Sequence, residues 1–357
     1  MKIAFVHDEV PNDEILSHSV YAEHLLEFGI EENICRGFTP NPLLEAKTQG
    51  LLAYISDPYE LCREIAEFCP DFVYIEGVSA DTLAVILGAG FNCCIRLNGD
   101  ESIFRGYALN SLVTDFMSIR KLKRAIKEAA GIIGLIFASK RVQQEFIRVF
   151  NIENVPGAVI PRPVDITDFA NMNRAENIRK NCLILERFER GKAGQACVDA
   201  IFSLRFVPEF AASRIVFAGS GKRFLDETRM LRPYHNVSVL NRSPDERGAY
   251  KLIATNGVLL HPVKTLAQSL MLTCAMASGM AVVTLDGGMS ELIEHGKTGY
   301  IASSPIEMGA CIESMWDDPL NFMLVSKQAK EIVREKCSVQ AVCSEENKFL
   351  KWIVRER

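Results

Sequence analysis

The chain has 357 residues, 48% of them hydrophobic, with 14 prolines and a formal net charge of −5. Such a length accommodates two domains of ordinary size, each with its own core. The mildly acidic balance excludes a protein whose whole surface is built to hold nucleic acid or an anionic membrane, so any such contact must be local.

In chain order, the opening MKIAFVHDE runs straight into an apolar strand, with no basic n-region, cleavage site or bilayer-length apolar run, which predicts a cytoplasmic protein. Short apolar runs then alternate with longer amphipathic stretches, the pattern of parallel strands with helical crossovers. In the first half the pattern predicts strands at 2–7, 72–76, 93–97, 132–138 and 158–160, and helices near 17–28, 59–68, 112–129 and 140–150. The stretch PRPVDITDFANMNRAENIRK (161–180), with two prolines and many polar residues, breaks the alternation as a linker would. Beyond it strands are predicted at 182–185, 214–218, 237–240, 257–260 and 281–284, and helices near 194–204, 245–253 and 270–277. The last stretch, 342–357, is amphipathic and contains Trp352. The fold class expected is therefore α/β, two Rossmann-like domains in tandem, over residues 1–165 and 166–341. Ligands of such open sheets bind beyond the carboxyl ends of the strands, so a cleft between the domains is the expected site.

The chemistry-bearing residues are sparse. Eleven cysteines form no CxxC pair, and Cys93, Cys94, Cys182, Cys197 and Cys274 sit inside apolar runs, where buried thiols are the simplest account. With no HExxH, no DxD and no Cys/His cluster, no metal site is expected. Gly219-Ser220-Gly221 follows an apolar strand, but Phe224 replaces the third glycine of a dinucleotide fingerprint and Val216 the first glycine of a P-loop. The Gly296-Lys297-Thr298 triplet fails in the same way, with Glu291 at the glycine position. The strand end RLNGDE (96–101) carries Asn98 and Asp100. Asp100 either orients a substrate hydroxyl or completes an Asn-Gly-Asp turn. The helix RKLKRAIK (120–127) has five cations in eight residues: a solvated face, or a peripheral contact with lipid phosphates.

Four blocks in the second half carry a pattern. They are LERFERGKAGQACVDAI (185–201), RIVFAGSGKRFLDE (214–227), NVSVLNRSPDERGAYKLIATNGVLLHP (236–262) and AMASGMAVVTLDGGMSELIEHGKTGY (275–300). In order and spacing they resemble the retaining GT-B glycosyltransferases of the family 4 group, the glycosyl transferases group 1. The resemblance implies a fold of two Rossmann-like domains facing each other across a cleft, the first for the acceptor, the second for a nucleotide sugar, with a last helix (342–357) crossing back to the first. It implies a hexosyltransferase that moves sugar to a saccharide or lipid-linked acceptor with retention, in polysaccharide or glycoconjugate synthesis, without a metal or cofactor.

On this resemblance Arg187 and Lys192 fall on the cations that stabilise the departing diphosphate. Gly219 and Gly221 form the glycine turn, the backbone near Arg242 and Ser243 meets the base, and His261 ends a strand near the sugar. The amides of Gln268, Ser269 and Leu270 reach the diphosphate. In the last block a helix end, a glycine cap and a buried strand lead into a Gly-Gly turn and a second helix start, where Glu291 contacts the sugar, orders the loop or merely favours the helix dipole. The family places two glutamates, eight positions apart, just before AMASG. Here those positions hold Leu266 and Cys274, neither of which accepts hydrogen bonds as a carboxylate does. Two other readings stay open: a non-catalytic relative that binds a sugar, nucleotide or partner, and a GT-B nucleotide-sugar epimerase.

Overall fold

The elements follow from short β-branched and apolar runs that pair side by side and capped helices that cover them. The structure, a computed structural model, describes residues 1–7, 34–40, 52–99, 113–129, 132–152, 155–170, 176–187, 193–221, 223–262, 269–286 and 291–356. The chain divides into two compact units. The first comprises Met1–Asp165 together with the C-terminal Lys336–Arg357, and the second Ile166–Thr265 and Ser269–Glu335.

The first unit holds seven parallel strands: β1 (Lys2–His7), β2 (Ile34–Thr39), β3 (Leu52–Tyr54), β4 (Phe72–Glu76), β5 (Cys93–Leu97), β6 (Ile133–Phe137) and β7 (Gly157–Val159), in the order β3-β2-β1-β4-β5-β6-β7. Its helices are α1 (Pro58–Phe68), α2 (Ala80–Gly88), α3 (Val113–Glu128) and α4 (Lys140–Phe150). Local chemistry sets their ends. The Asp57 carboxylate accepts from the amides of Tyr59 and Glu60 at 2.9 and 2.8 Å, and Ser139 caps α4 through Val142 N–H at 3.1 Å. Alternation along each strand sends Val73, Ile75, Cys93 and Ile95 to one face, under α1–α4. Ile3, Phe5, Phe72, Tyr74 and Cys94 go to the other, where α10 (Val339–Glu356) buries Val342, Cys343, Leu350 and Ile353.

The second unit holds β8 (Asn181–Arg187), β9 (Arg214–Ser220), β10 (Val237–Asn241), β11 (Val258–His261), β12 (Ala281–Leu285) and β13 (Tyr300–Ala302), in the order β10-β9-β8-β11-β12-β13, every pair parallel. Its helices are α5 (Ala193–Ser203), α6 (Glu246–Thr255), α7 (Leu270–Ala277), α8 (Pro305–Asp317) and α9 (Pro319–Cys337), the last running past Glu335 into the first unit. Fully buried Trp316, Phe217 and Phe224 fill the core between the sheet and its helices.

The strands expected at 2–7, 72–76 and 93–97 are β1, β4 and β5 to the residue. β2, β3, β13 and helices α2, α8 and α9 were not expected. The two- to three-turn α2 is apolar almost all round, with Ala80, Leu83, Ala84, Ile86 and Leu87 buried, so it shows no amphipathic period to read. The helix expected near 17–28 lies outside the described residues. One expectation is overturned: no helix begins at Glu291. Residues 291 and 292 form a bend and 293–294 an irregular segment that leads into a turn and β13. Leu292 and Ile293, neighbours in sequence, are both buried. The Thr298 hydroxyl takes the Glu294 amide at 2.8 Å and donates to the Leu292 carbonyl at 2.8 Å, bonds that close a loop rather than start a helix.

Candidate functional site

The strand order of the second sheet reverses between β8 and β11, and the crevice at the carboxyl ends of strands flanking such a reversal is where open α/β sheets bind ligands. Arg187 is the last residue of β8 and stands opposite Ser220, the last of β9; its side chain lies outside what the structure describes, as do Lys192, Asp100, Leu266 and Gln268 entirely.

Beside β8, Gly219 is paired with Glu186 on one side and Asn241 on the other, and Gly221 has φ +130°, a backbone state that a side chain would resist. Arg242 is exposed and forms an antiparallel bridge with Gly219, while its own N–H donates to the Leu240 carbonyl at 2.8 Å. That amide is therefore engaged in the turn, and a ligand here would meet the exposed guanidinium. The Ser220 and Ser243 hydroxyls share a hydrogen bond of 3.0 Å across the same edge.

On the other side of the reversal, His261 ends β11 opposite Thr284, whose hydroxyl donates to the His261 carbonyl at 2.8 Å. The imidazole is 7% exposed, and burial lowers its pKa from 6.5 to about 4, so it is neutral at physiological pH. Seven residues after Pro262 the chain re-enters as α7. Ser269 is its N-cap, accepting from Leu272 N–H at 3.3 Å, and Leu270 opens its first turn, 2% exposed. α7 precedes the parallel strand β12, so its N-terminus lies at the carboxyl edge of the sheet, the end at which backbone N–H groups and the helix dipole favour an anion. Gly279, at φ +81°, then turns the chain into β12. Glu291 is exposed beyond that strand. Cys274 is 1% exposed inside α7 and presents no carboxylate to this edge.

The first sheet reverses between β1 and β4, and here the structure brings together residues that sequence reading did not connect. His7 stands opposite Glu76, and Glu76 opposite Arg96. Asn98 donates to Glu76 Oε1 at 2.7 Å and accepts from Arg96 Nε at 3.2 Å. Arg96, fully buried, is ion-paired to Glu346 of α10 and donates to the carbonyls of Ile160 and Pro161. The Tyr74 hydroxyl donates to the same Glu346 oxygen at 2.7 Å. Burial works against the charge on Arg96, but the fields of Tyr74, Glu346 and Glu76 outweigh it and raise its pKa above the ordinary arginine value. The only sequence signal for this network is a charged residue, Arg96, inside an otherwise apolar strand.

Of the five cations at 120–127, Lys121 pairs with Asp81 at 3.8 Å, Lys123 donates to the Val149 carbonyl at 3.2 Å and Arg124 pairs with Glu128 at 2.7 Å. Among the described residues no three His, Cys, Asp or Glu side chains converge, and no helix is long and apolar enough to cross a membrane.

Two parallel sheets, each with its own reversal and helical cover, are the GT-B architecture, and solved structures share it over the full chain. A glycosyltransferase from Rickettsia africae ESF-5 superposes with a TM-score of 0.72 at 12% identity, covering 100% of this chain and 99% of its own. Anabaena HepE in complex with UDP and glucose gives 0.71 at 15% identity, covering 98% and 99%. Sucrose-phosphate synthase from Thermosynechococcus elongatus gives 0.65 at 13% identity over 100% of both chains. No curated protein matches the sequence closely enough to count as a relative. Residues 179–318, from just before β8 to just past α8, match the model of the glycosyl transferases group 1.

Proposed function

We propose that the protein transfers a sugar from a nucleotide-sugar donor to a saccharide or lipid-linked acceptor, with retention and without a metal or cofactor, as a cytoplasmic enzyme of glycoconjugate synthesis. The observation that carries the reading is the edge of the second sheet, where the ends of β8, β9 and β11 and the start of α7 gather at the strand reversal. HepE, of the same fold, has also been solved with UDP-glucose.

In this reading Arg187 and Lys192 neutralise charge on the departing diphosphate, and the amides of Ser269 and Leu270 at the α7 start hold its oxygens. Gly219 and Gly221 let the nucleotide approach the backbone, Arg242 lies against it, His261 and Glu291 flank the sugar, and Asp100 orients the acceptor hydroxyl. The acceptor oxygen attacks the anomeric carbon on the face the diphosphate leaves. The departing phosphate takes the hydroxyl proton, so no protein base is needed.

The test is a panel of nucleotide sugars with mass detection of products. Lys192→Ala should abolish turnover with folding intact, and retained turnover removes the phosphate-clamp assignment. Cys274, a buried thiol where the group usually has a glutamate, favours a second reading, a non-catalytic binder. Thermal shift separates the two from an inert fold: a donor site is stabilised by UDP, GDP or ADP through mass action, and the absence of product with such a shift favours the binder.

A further inference from the structure

At the outer end of the second sheet's carboxyl edge, a turn built around Arg242 follows β10. Three contacts fix it. Arg242 bridges Gly219 of β9, its N–H donates to the Leu240 carbonyl at 2.8 Å, and the Ser220 and Ser243 hydroxyls join the two strand ends at 3.0 Å. The guanidinium is what remains: it is exposed, and no carboxylate among the described residues pairs with it. The neighbouring charges are engaged elsewhere. Arg223, just past the glycine turn, is taken by Glu227 at 3.1 Å, and Asp245 accepts from Gly248 N–H at 2.8 Å as the N-cap of α6. Gly219 and Gly221 bring no side chain to this edge, so a flat group can lie against their backbone with the forked cation at its rim.

Position along the edge separates Arg242 from the diphosphate. In the order β10-β9-β8-β11, β10 is the outer strand and stands two strand spacings, about 10 Å, from β8. A nucleotide whose diphosphate sits at the β8–β11 reversal therefore extends its base toward β9 and β10, where the glycine backbone and Arg242 meet it. What a guanidinium can read there is set by its chemistry: it carries donors only, in a fixed planar fork. Guanine presents two adjacent acceptors, O6 and N7. Adenine sets an amino donor beside N7, cytosine presents an amino donor, and a uracil ring offers O4 alone on the corresponding edge. Only guanine fills both prongs of the fork.

We infer that Arg242 selects a guanine nucleotide, its guanidinium donating to O6 and N7 of the base, so that the donor is a GDP-sugar. This rests on the nucleotide-sugar reading of the edge and adds to it the identity of the base. The backbone of Arg242 is already held by the turn, so the side chain reaches out from a fixed point, and little order has to be gained when the base arrives. Contact with ribose or phosphate instead would make Arg242 serve every nucleotide alike, which binding measurements separate from selection of the base.

The experiment is isothermal titration of the full chain with GDP, UDP and ADP, and with two altered guanine nucleotides: a deaza-GDP in which carbon replaces N7, and inosine diphosphate, which keeps O6 and N7 but lacks the amino group. GDP and inosine diphosphate should bind alike, and deaza-GDP, UDP and ADP about tenfold or more weaker. Arg242→Ala should lower GDP affinity about tenfold or more and leave UDP and ADP as they were. Arg242→Lys, a point cation without a fork, should recover only part of the loss. The position is exposed, and circular dichroism checks that both variants fold. Tighter binding of UDP or ADP than of GDP overturns the inference, as does equal binding of GDP and deaza-GDP, or an equal loss for all three nucleotides in Arg242→Ala. Failure of every nucleotide to bind overturns the nucleotide-sugar reading and the inference with it, whereas a preference for UDP or ADP removes the inference and leaves that reading standing.

Discussion

Glu346→Ala should loosen the first unit selectively and by a large amount. Glu346 and Arg96 are both fully buried, 250 residues apart in sequence, and joined as an ion pair between α10 and β5. The same carboxylate oxygen accepts from Tyr74. Removing the side chain leaves a guanidinium whose next carboxylate, Glu76, lies 3.9 Å away and a phenol without that acceptor. Breaking one half of a buried pair costs about 3–5 kcal/mol, and the hydrogen bond lost by Tyr74 adds to the same loss rather than independently, so about 4 kcal/mol is expected. Hydrogen–deuterium exchange resolved by peptide provides the assay. Protection in β4, β5 and α10 should fall by about three orders of magnitude where opening is governed by this unit, while β8 and β9 keep theirs. Replacing both partners, Arg96→Met with Glu346→Leu, should cost less than the single change, because no uncompensated charge remains. A loss below about 1 kcal/mol for Glu346→Ala, or a double variant worse than the single one, would refute the claim that the pair holds α10 to the sheet.

Further expectations follow from burial and backbone approach. His261 is held neutral when folded and protonates near 6.5 when unfolded, so its contribution is complete above that pH and is lost as pH falls from about 6.5 toward 4. Urea unfolding of the second unit should show a decline of up to about 3 kcal/mol across that window, and His261→Gln should flatten it. At Gly257 a Cβ would meet the Ile178 carbonyl oxygen at 2.4 Å and Arg179 Cα at 2.8 Å, both backbone. Gly257→Ala should therefore destabilise by several kcal/mol, on the order of other overpacked cores. Gly134→Ala clashes with the flexible tip of Ile353 and otherwise meets only side-chain carbons at 3.4 Å or more, and should cost markedly less; thermal melts that rank the two the other way contradict the packing. Of the eleven cysteines, all outside disulfides, Cys69 alone is exposed. Dithionitrobenzoate should label it first, Cys35 and Cys62 more slowly because burial raises both thiol pKa values, Cys35 to about 11, and the other eight only on unfolding.

The amino-acid sequence by itself determines the class of this protein. The alternation of apolar runs and amphipathic stretches is a local, periodic signal, and it locates β1, β4, β5, α4 and α7 to the residue. The four blocks between 185 and 300 are equally local, and they carry the resemblance to GT-B glycosyltransferases, which the shared fold and the group 1 match over residues 179–318 support. The sequence pattern misreads Glu291 because Gly-Gly followed by polar residues suits a helix start, whereas the burial of both Leu292 and Ile293 and the Thr298 hydroxyl close a loop there. It passes over α2 because a helix apolar all round has no face to betray it.

Tertiary structure alone decides which strand ends are neighbours. Strand order is set by packing between segments far apart in the chain. Only that order sets Arg187 beside Ser220, puts the sheet reversal between β8 and β11, and aligns His7, Glu76 and Arg96 along the first sheet's edge. The pairing of Arg96 with Glu346 is of the same kind. Each is an ordinary charged residue in its own segment, and only the docking of α10 on the sheet removes both from water and makes them depend on each other.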